Sequence, residues 1–96
     1  MIRVTGSAYI AKKEIRAVRD GFGGEKFMNL RLKNDKEDRE FYIASIKAKE
    51  DASIFALVDV GDQVNIDGIW KIKRNKQSDG SFRYYNVIYL DTIEPM

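Results

Sequence analysis

The sequence of 96 residues contains neither cysteine nor histidine. The lack of cysteine excludes disulfide bonds, thiolate nucleophiles and cysteine metal sites. The lack of histidine removes the side chain that most often transfers protons near neutral pH. The composition therefore gives little support to catalysis, and we predict that the protein is not an enzyme and needs no cofactor.

Long apolar runs are also missing, and none could span a bilayer. The opening MIRV does not begin an apolar signal segment, so nothing suggests secretion. We expect a cytoplasmic protein without a membrane partner. Hydrophobic residues still make up 44% of the chain, which excludes a disordered polymer and predicts one small domain, residues 1–96, with a modest core.

Charge of one sign is not in large excess, because 17 basic residues face 15 acidic ones and leave a net charge of +2. The distribution of the charges is more informative. Acids concentrate in residues 35–38 and 50–62, whereas bases concentrate in residues 12–19 and 71–83. A surface with segregated charges can bind a polyanion despite a small net charge.

A long β-hairpin is predicted over residues 60–90, and the rest of the chain is organised around it. Its first arm covers residues 63–73 and its second arm residues 82–93. The first arm alternates, and its apolar face carries Val64, Ile66, Trp70 and Ile72. The second arm is rich in aromatic and β-branched residues, which favour strands.

Glycines mark two special points of this hairpin. Gly68 interrupts the apolar series of the first arm and predicts a bulge. The turn at residues 78–81 contains Gly80, which can take a positive φ. The loop and its flanks, residues 71–83, carry five bases against the single acid Asp79. A basic hairpin edged with aromatic residues is typical of proteins that bind single-stranded nucleic acid.

The region before the hairpin predicts three strands, at residues 2–11, 26–33 and 40–47. Alternation in the second strand places three side chains in the core, namely Met28, Leu30 and Leu32. Both faces of the third strand are apolar, so its core face stays open. For residues 12–20 we favour an irregular extended segment over a short helix or a continued strand. Turns are predicted at residues 21–24 and 34–39.

One short helix is predicted over residues 51–60. Asp51 suits its N-cap, and Gly61 suits the left-handed position at its C-terminal end. Its apolar stripe consists of Ile54, Leu57 and Val58. The element order is then β-β-β-α-β-β. This order predicts an all-β fold, the OB-fold, which is a five-stranded Greek-key barrel with the helix between strands three and four.

Four stretches resemble bacterial and phage single-stranded DNA-binding proteins. The segment VGDQVNIDG at residues 60–68 is similar to the helix end and fourth strand of that family. The segment DGSFRY at residues 79–84 resembles the turn and the entry into its last strand. NLRL at residues 29–32 resembles its second strand, and the pair Glu40-Phe41 resembles the opening of its third. In order and spacing, the resemblance covers nearly the whole chain.

The resemblance implies a homo-oligomer, dimer or tetramer, that coats single-stranded DNA without sequence specificity during replication, recombination or repair. The apolar residues of strand three, too many for one barrel interior, also favour an oligomer. Other replication or recombination proteins are further candidate partners. Bacterial members end in an acidic tail, whereas this chain ends in IEPM. It therefore resembles a phage or plasmid version, which would act in the host cytoplasm, or a core domain.

Two alternatives belong to other functional classes. One is an OB-fold accessory or assembly subunit of the primosomal type, and the other is an RNA-binding OB domain.

Eleven residues form the predicted DNA-binding site. Four belong to the sheet face and seven to the hairpin: Phe27, Arg31, Phe41 and Lys47, then Trp70, Lys71, Lys73, Arg74, Lys76, Arg83 and Tyr84. Rings would stack on bases, and cations would contact phosphates. Phe27 and Phe41 could instead cover the barrel ends, Trp70 could be a core or rim residue, and the hairpin bases could simply be solvated.

Other candidates are weaker. Tyr84 and Tyr85 are adjacent, so we expect one to be buried and the other available. A second basic arm consists of Lys12, Lys13, Arg16 and Arg19. The acids most suited to a metal are Asp35, Glu37, Asp38 and Glu40. A turn of mixed charge is usually only solvated, so we predict no metal site.

Overall fold

The computed structural model describes residues 1–17, 24–49 and 51–96. In these residues the elements follow the predicted order, with five strands and one short helix between the third and the fourth. They are β1 (Ile2–Ala17), β2 (Glu25–Lys33), β3 (Tyr42–Lys49), α1 (Ile54–Leu57), β4 (Gln63–Lys76) and β5 (Phe82–Pro95).

The strands close into a barrel in the order β1-β2-β3-β5-β4. The first half of β1 pairs with β4 and its second half with β2, with a register shift between Ile10 and Lys12. The strands β3 and β5 run parallel, whereas the other neighbours are antiparallel. This closed five-stranded barrel confirms the predicted all-β OB-fold.

Alternate side chains fill the barrel interior. Met28, Leu30 and Leu32 of β2 are at most 2% exposed, which confirms the core prediction for this strand. In β3 the buried Ala44 belongs to the core cluster, and the partly buried Ile46 packs against it. They identify the inward face that the sequence left open, and the opposite face of β3 points out of the barrel.

The helix α1 is shorter than predicted. It covers Ile54–Leu57, and Ser53 rather than Asp51 occupies its N-cap position, without a side-chain capping hydrogen bond. It ends early because Val58 is extended. A turn follows in which the Asp62 carboxylate accepts a hydrogen bond of 2.8 Å from the backbone N–H of Asp59.

The apolar stripe of α1 also differs from the prediction. Phe55 and Val58 are buried, and Ile54 packs against the core beside them. Leu57, which we expected to point inward, is 51% exposed. The stripe prediction fails at Leu57 because a single helical turn presents only a narrow face to the barrel. Gly61 has the expected positive φ of 92°, but it lies in the turn after the helix rather than at the helix end.

The strand β1 is longer than predicted. Residues 12–17 continue it and pair with β2, so the continued strand is correct and the irregular segment is wrong. The register shift after Ile10 lets the backbone bend from one partner strand to the next without leaving the sheet. The strand β3 begins at Tyr42, two residues later than predicted. Residues 18–23, including most of the predicted glycine turn and Arg19, lie outside the described residues.

The strands β4 and β5 form the predicted hairpin. We call residues 71–86 the ribbon, because nearly all of their side chains are exposed. The predicted bulge is confirmed by a register shift between Asp67 and Gly68. Gly80 has the predicted positive φ, at 88°. At the tip, Ser81 donates hydrogen bonds from its hydroxyl and its backbone N–H to the Asp79 carboxylate, and these bonds lower the pKa of Asp79.

Replacing Gly68 with alanine is expected to destabilise the protein. A Cβ atom here would lie 3.0 Å from the Cα atom of Leu90 and closer still to the carbonyl oxygen of Tyr89, so β5 would have to move. Overpacking of this kind costs about 1–3 kcal/mol. Thermal denaturation measures the effect. Gly80→Ala is the comparison for backbone strain without overpacking, because its φ of 88° is one that L side chains rarely adopt and a Cβ there meets nothing within 4 Å. An unchanged or higher Tm for Gly68→Ala would contradict the expectation.

Candidate nucleic-acid interface

An open groove with a volume of about 450 Å³ lies on the outer face of the sheet. It is lined by residues of β1, β2, β3 and β5 and by Lys73 of the ribbon. Its lining consists mainly of side chains that alternate with the core residues and therefore point away from the barrel interior. Phe27 and Arg31, two of the predicted sheet residues, line the groove.

The register of the strands arranges the groove side chains in three rows. The ribbon-side row contains Lys12, Arg31, Ile43, Val87 and Lys71. The middle row contains Glu14, Asn29, Ser45 and Tyr89. The far row contains Arg16, Phe27 and Lys47. Most of the cations therefore stand in the two outer rows, with polar groups and an aromatic ring between them.

Two acids on this face are paired with cations. Arg16 binds Glu14, with 2.8 Å between Nη2 and Oε1. Lys47 lies 3.5 Å from a carboxylate oxygen of Glu25. These pairs reduce the repulsion that the two carboxylates would exert on a polyanion in the groove.

Cations lie over aromatic rings at the ribbon end of the groove. The Arg31 guanidinium lies 4.5 Å from the centre of the Phe41 ring. The ammonium groups of Lys71 and Lys73 lie 5.7 Å and 5.2 Å from the centre of the Tyr89 ring. Hydrogen bonding to Tyr89 raises the pKa of Lys73, so this lysine stays charged. A ring beside a cation offers a stacking surface for a base next to a partner for its phosphate.

The floor of the groove holds a hydrogen-bonded polar pair. Ser45 is only 8% exposed, and its hydroxyl donates a hydrogen bond of 2.9 Å to Oδ1 of Asn29. Both residues face the groove rather than the core, because Leu30 and Ala44, their chain neighbours, are buried in the barrel.

The eleven predicted residues fall on two opposite faces. On the groove face, or beside it in the case of Phe41, lie Phe27, Arg31, Phe41, Lys47, Lys71, Lys73 and Arg83. On the other side of the ribbon, which we call the back face, lie Trp70, Arg74, Lys76 and Tyr84. The structure therefore places six of them on the groove face and four on the back face. Phe41 lies between the two groups, because it contacts Arg31 and also lines a hollow together with Trp70.

The back face of the ribbon is aromatic and exposed. Trp70 lies at the barrel rim with 37% of its surface exposed, and Tyr84 is 65% exposed. The Arg74 guanidinium lies 4.6 Å from the centre of the Phe82 ring. Tyr85, adjacent to Tyr84, is half-buried and lines the groove instead, as their opposite parity requires.

Two solved structures resemble this chain over almost its full length. The mitochondrial single-stranded DNA-binding protein Rim1 of S. cerevisiae is similar with a TM-score of 0.71 and 9% identity, covering 99% of this chain and 94% of that one. A small single-stranded DNA-binding protein of Streptomyces coelicolor is similar with a TM-score of 0.64 and 19% identity, with the same coverage.

The chain has the fold of these single-stranded DNA-binding proteins. At such low sequence identity the similarity is one of backbone fold. The function of the groove therefore has to be argued from the residues of this chain. No protein-family model matches the sequence. No curated protein matches it either.

Within this OB-fold, the groove also contains residues that are not among the eleven predicted ones, including Asn29, Ser45, Tyr85 and Tyr89. For the two tyrosines a signal was present, since they share parity with Arg83 on the second arm of the hairpin. For Asn29 the signal was its parity with Phe27 and Arg31. Ser45 lies in the site because β3 pairs with β2 on one side and with β5 on the other. The parallel pairing of β3 with β5 leaves no pattern in the sequence from which it could be predicted.

The second basic arm is only partly available. Lys12 and Arg16 line the groove. Lys13 instead donates a hydrogen bond of 2.8 Å to the carbonyl oxygen of Val58, so it ties β1 to the segment after α1. Arg19 lies outside the described residues.

The acidic turn at residues 34–39 uses its carboxylates for its own backbone. Asp38 accepts a hydrogen bond from the N–H of Asp35, and Asp35 accepts one from the N–H of Glu37. In residues 1–17, 24–49 and 51–96 there is no cluster of three acids that could hold a metal ion. No helix in the same ranges is long and apolar enough to cross a membrane.

Proposed function

We propose that this protein binds and coats single-stranded DNA, largely without regard to sequence, through the groove and the ribbon. The observation that carries the proposal is the set of rings paired with cations along one open groove of an OB-fold. The two similar structures are those of single-stranded DNA-binding proteins, and they support the same assignment. We infer that the coated strands are those exposed during replication, recombination or repair.

The groove suits a strand because it offers rings for bases and cations for phosphates. Phe27 in the far row and Tyr89 in the middle row provide stacking surfaces within the groove, and Phe41 provides one at its edge. Stacking contributes about 1–3 kcal/mol per base and tolerates every sequence, because each base has a π-face. Such a site binds a single strand regardless of its base sequence.

We expect the phosphate contacts to come from Arg31 and Lys71 of the ribbon-side row and from Lys73 of the ribbon. Arg31, Lys71 and Lys73 are exposed and stand beside the rings of Phe41 and Tyr89. A strand whose base stacks on Tyr89 would displace the two lysines from the ring and bring its phosphates within their reach. Lys47 and Arg83 extend the same positive surface in opposite directions.

We propose that a second copy of the chain covers the back face, which makes the protein a dimer or tetramer. Ile72 is 71% exposed there, and Trp70 stands next to it. The register pairs Ile2, which is 65% exposed, with Trp70, so the apolar strip continues from β4 onto β1. Exposed apolar surface of this extent is typical of a contact between subunits. Light scattering at micromolar concentration tests the oligomer, and a monomer would contradict it.

Binding of a labelled oligo-dT strand, followed by fluorescence anisotropy, tests the main proposal. We expect saturable binding that weakens with salt and that unlabelled single-stranded DNA removes, whereas duplex DNA of equal length does not. Matched RNA in place of DNA separates this function from an RNA-binding OB domain. Absence of binding to either strand would overturn the proposal and favour an accessory or assembly subunit whose partner is a protein.

A further inference from the structure

The cations on the two sides of the groove have different partners. On the ribbon side three cations lie against aromatic rings, and no carboxylate among the described residues is paired with them: Arg31, Lys71 and Lys73. In the far row, Arg16 is paired with Glu14, and Lys47 lies 3.5 Å from a carboxylate oxygen of Glu25. A strand that fills the groove therefore meets cations already engaged by carboxylates on its far side.

The pair of Glu14 and Arg16 has the closer geometry of the two. Oε1 of Glu14 accepts hydrogen bonds from Nε of Arg16 at 2.9 Å and from Nη2 at 2.8 Å. These two nitrogens form one edge of the guanidinium, and a guanidinium binds carboxylates and phosphates through such an edge in the same way. Both side chains line the groove. The carboxylate of Glu14 thus occupies the donors that a phosphate of a bound strand would use.

The pair is also easy to open and to form again. Its side chains are 43% and 66% exposed for Glu14 and Arg16, and an exposed ion pair contributes little to the stability of a fold. The two residues are two positions apart on one strand, so they share a face. The chain itself keeps them adjacent when a phosphate separates them. Glu14 can therefore take Arg16 back as soon as the phosphate moves away.

We propose that Glu14 is an internal competitor of the DNA phosphates, which engages Arg16 and so makes a bound strand easier to release from the far side of the groove. This inference rests on the proposed function, because it requires that single strands bind in the groove. The ribbon side, where the cations have no acidic partner among the described residues, then holds the strand more firmly than the far side does.

Glu14→Gln tests the proposal, because it removes the competing charge and keeps the size of the side chain. We expect the affinity for oligo-dT at low salt to rise about three- to fivefold, the range that one exposed ion pair allows. Since Arg16 can now contact a phosphate, the dependence of the affinity on salt should become steeper by about 0.7. Fluorescence anisotropy at several salt concentrations measures both effects. Release into an excess of unlabelled oligo-dT should become slower.

Two further variants separate this effect from a change of net charge. Glu94→Gln makes the same charge change at an exposed residue of β5 that does not line the groove, and we expect affinity and salt dependence close to those of the wild type. Glu14→Gln combined with Arg16→Ala restores the net charge of the wild type but lacks the cation. Its salt dependence should return to the wild-type value.

Each outcome supports or overturns the proposal. Tighter and more salt-dependent binding of Glu14→Gln alone supports it. Weaker binding would show that Glu14 positions Arg16 for a phosphate, and an unchanged affinity or an equal gain in Glu94→Gln would show that Glu14 does not compete at this site. Those three results overturn the inference while the proposed function stands. If the wild type does not bind oligo-dT, both fail. Thermal denaturation, in which we expect nearly equal Tm values, shows that the compared proteins are folded.

Discussion

Replacing Lys71 and Lys73 together with alanine will weaken the binding of single-stranded DNA and make it less dependent on salt. Both ammonium groups lie over the Tyr89 ring at the groove, where they would meet the phosphates of a stacked strand. Each phosphate contact releases counterions, and the logarithm of the affinity falls with the logarithm of the salt concentration by about 0.7 per contact for single strands. Loss of both lysines should therefore make the slope shallower by about 1.4. Titrations at several salt concentrations measure it.

The matched control replaces Arg74 and Lys76 with alanine. This variant loses the same charge from the same ribbon, but on the back face. If the strand lies in the groove, the control keeps most of the wild-type slope and affinity, because Arg74 and Lys76 do not meet the phosphates of the strand. Equal changes in the two double variants would show that the strand contacts both faces of the ribbon. A change confined to the control would place the strand on the back face and contradict the groove.

Leu32→Ala is expected to have the largest effect on stability. Leu32 is 0% exposed, and its removal leaves a cavity inside the barrel that the closed ring of strands cannot easily collapse around. Such substitutions cost about 2–5 kcal/mol. In a domain of this size each kcal/mol lowers the Tm by about 4–8 °C. Differential scanning calorimetry therefore should show a large decrease, and a change within experimental error would show that the core does not lie where the structure places it.

Leu57→Ala is the control with the same chemistry and a different location. Leu57 is 51% exposed on α1, so we expect a change within about 0.5 kcal/mol. If Leu57→Ala destabilised the protein as much as Leu32→Ala, a further subunit would have to cover α1. Measurement at several protein concentrations distinguishes that case, since the stability of an oligomer depends on concentration.

The fold could be predicted where one strand face is clearly apolar. The alternation of Met28, Leu30 and Leu32 identified both a strand and its inward face. The same reasoning could not orient β3, because the outward Ile43 is as apolar as the inward Ile46 and only the assembled barrel separates them. The predicted α1 was too long because Leu57 fits the spacing of a helical stripe. In the structure the helix has already ended, and the side chain of Asp62 closes a turn just beyond Val58.

The site could be predicted where charge and aromatic residues are local in sequence. The basic hairpin and Phe27 with Arg31 were visible in this way. Parity divides the hairpin residues into two faces but does not tell which face meets the groove, because the side that β5 turns to the groove depends on its parallel pairing with β3. The Asn29–Ser45 pair could not be predicted for a similar reason, since its two residues belong to different strands.

The division of β1 between two partner strands also affects how the protein is made. During synthesis the second half of β1 can pair with β2 soon after both have emerged. The first half pairs with residues 63–70 of β4, so it has to wait until most of the chain has been translated. Contacts between such distant segments also make all-β domains slow to fold, on a scale of milliseconds to seconds. The N-terminal edge of the nascent protein is therefore open to other chains until the barrel closes.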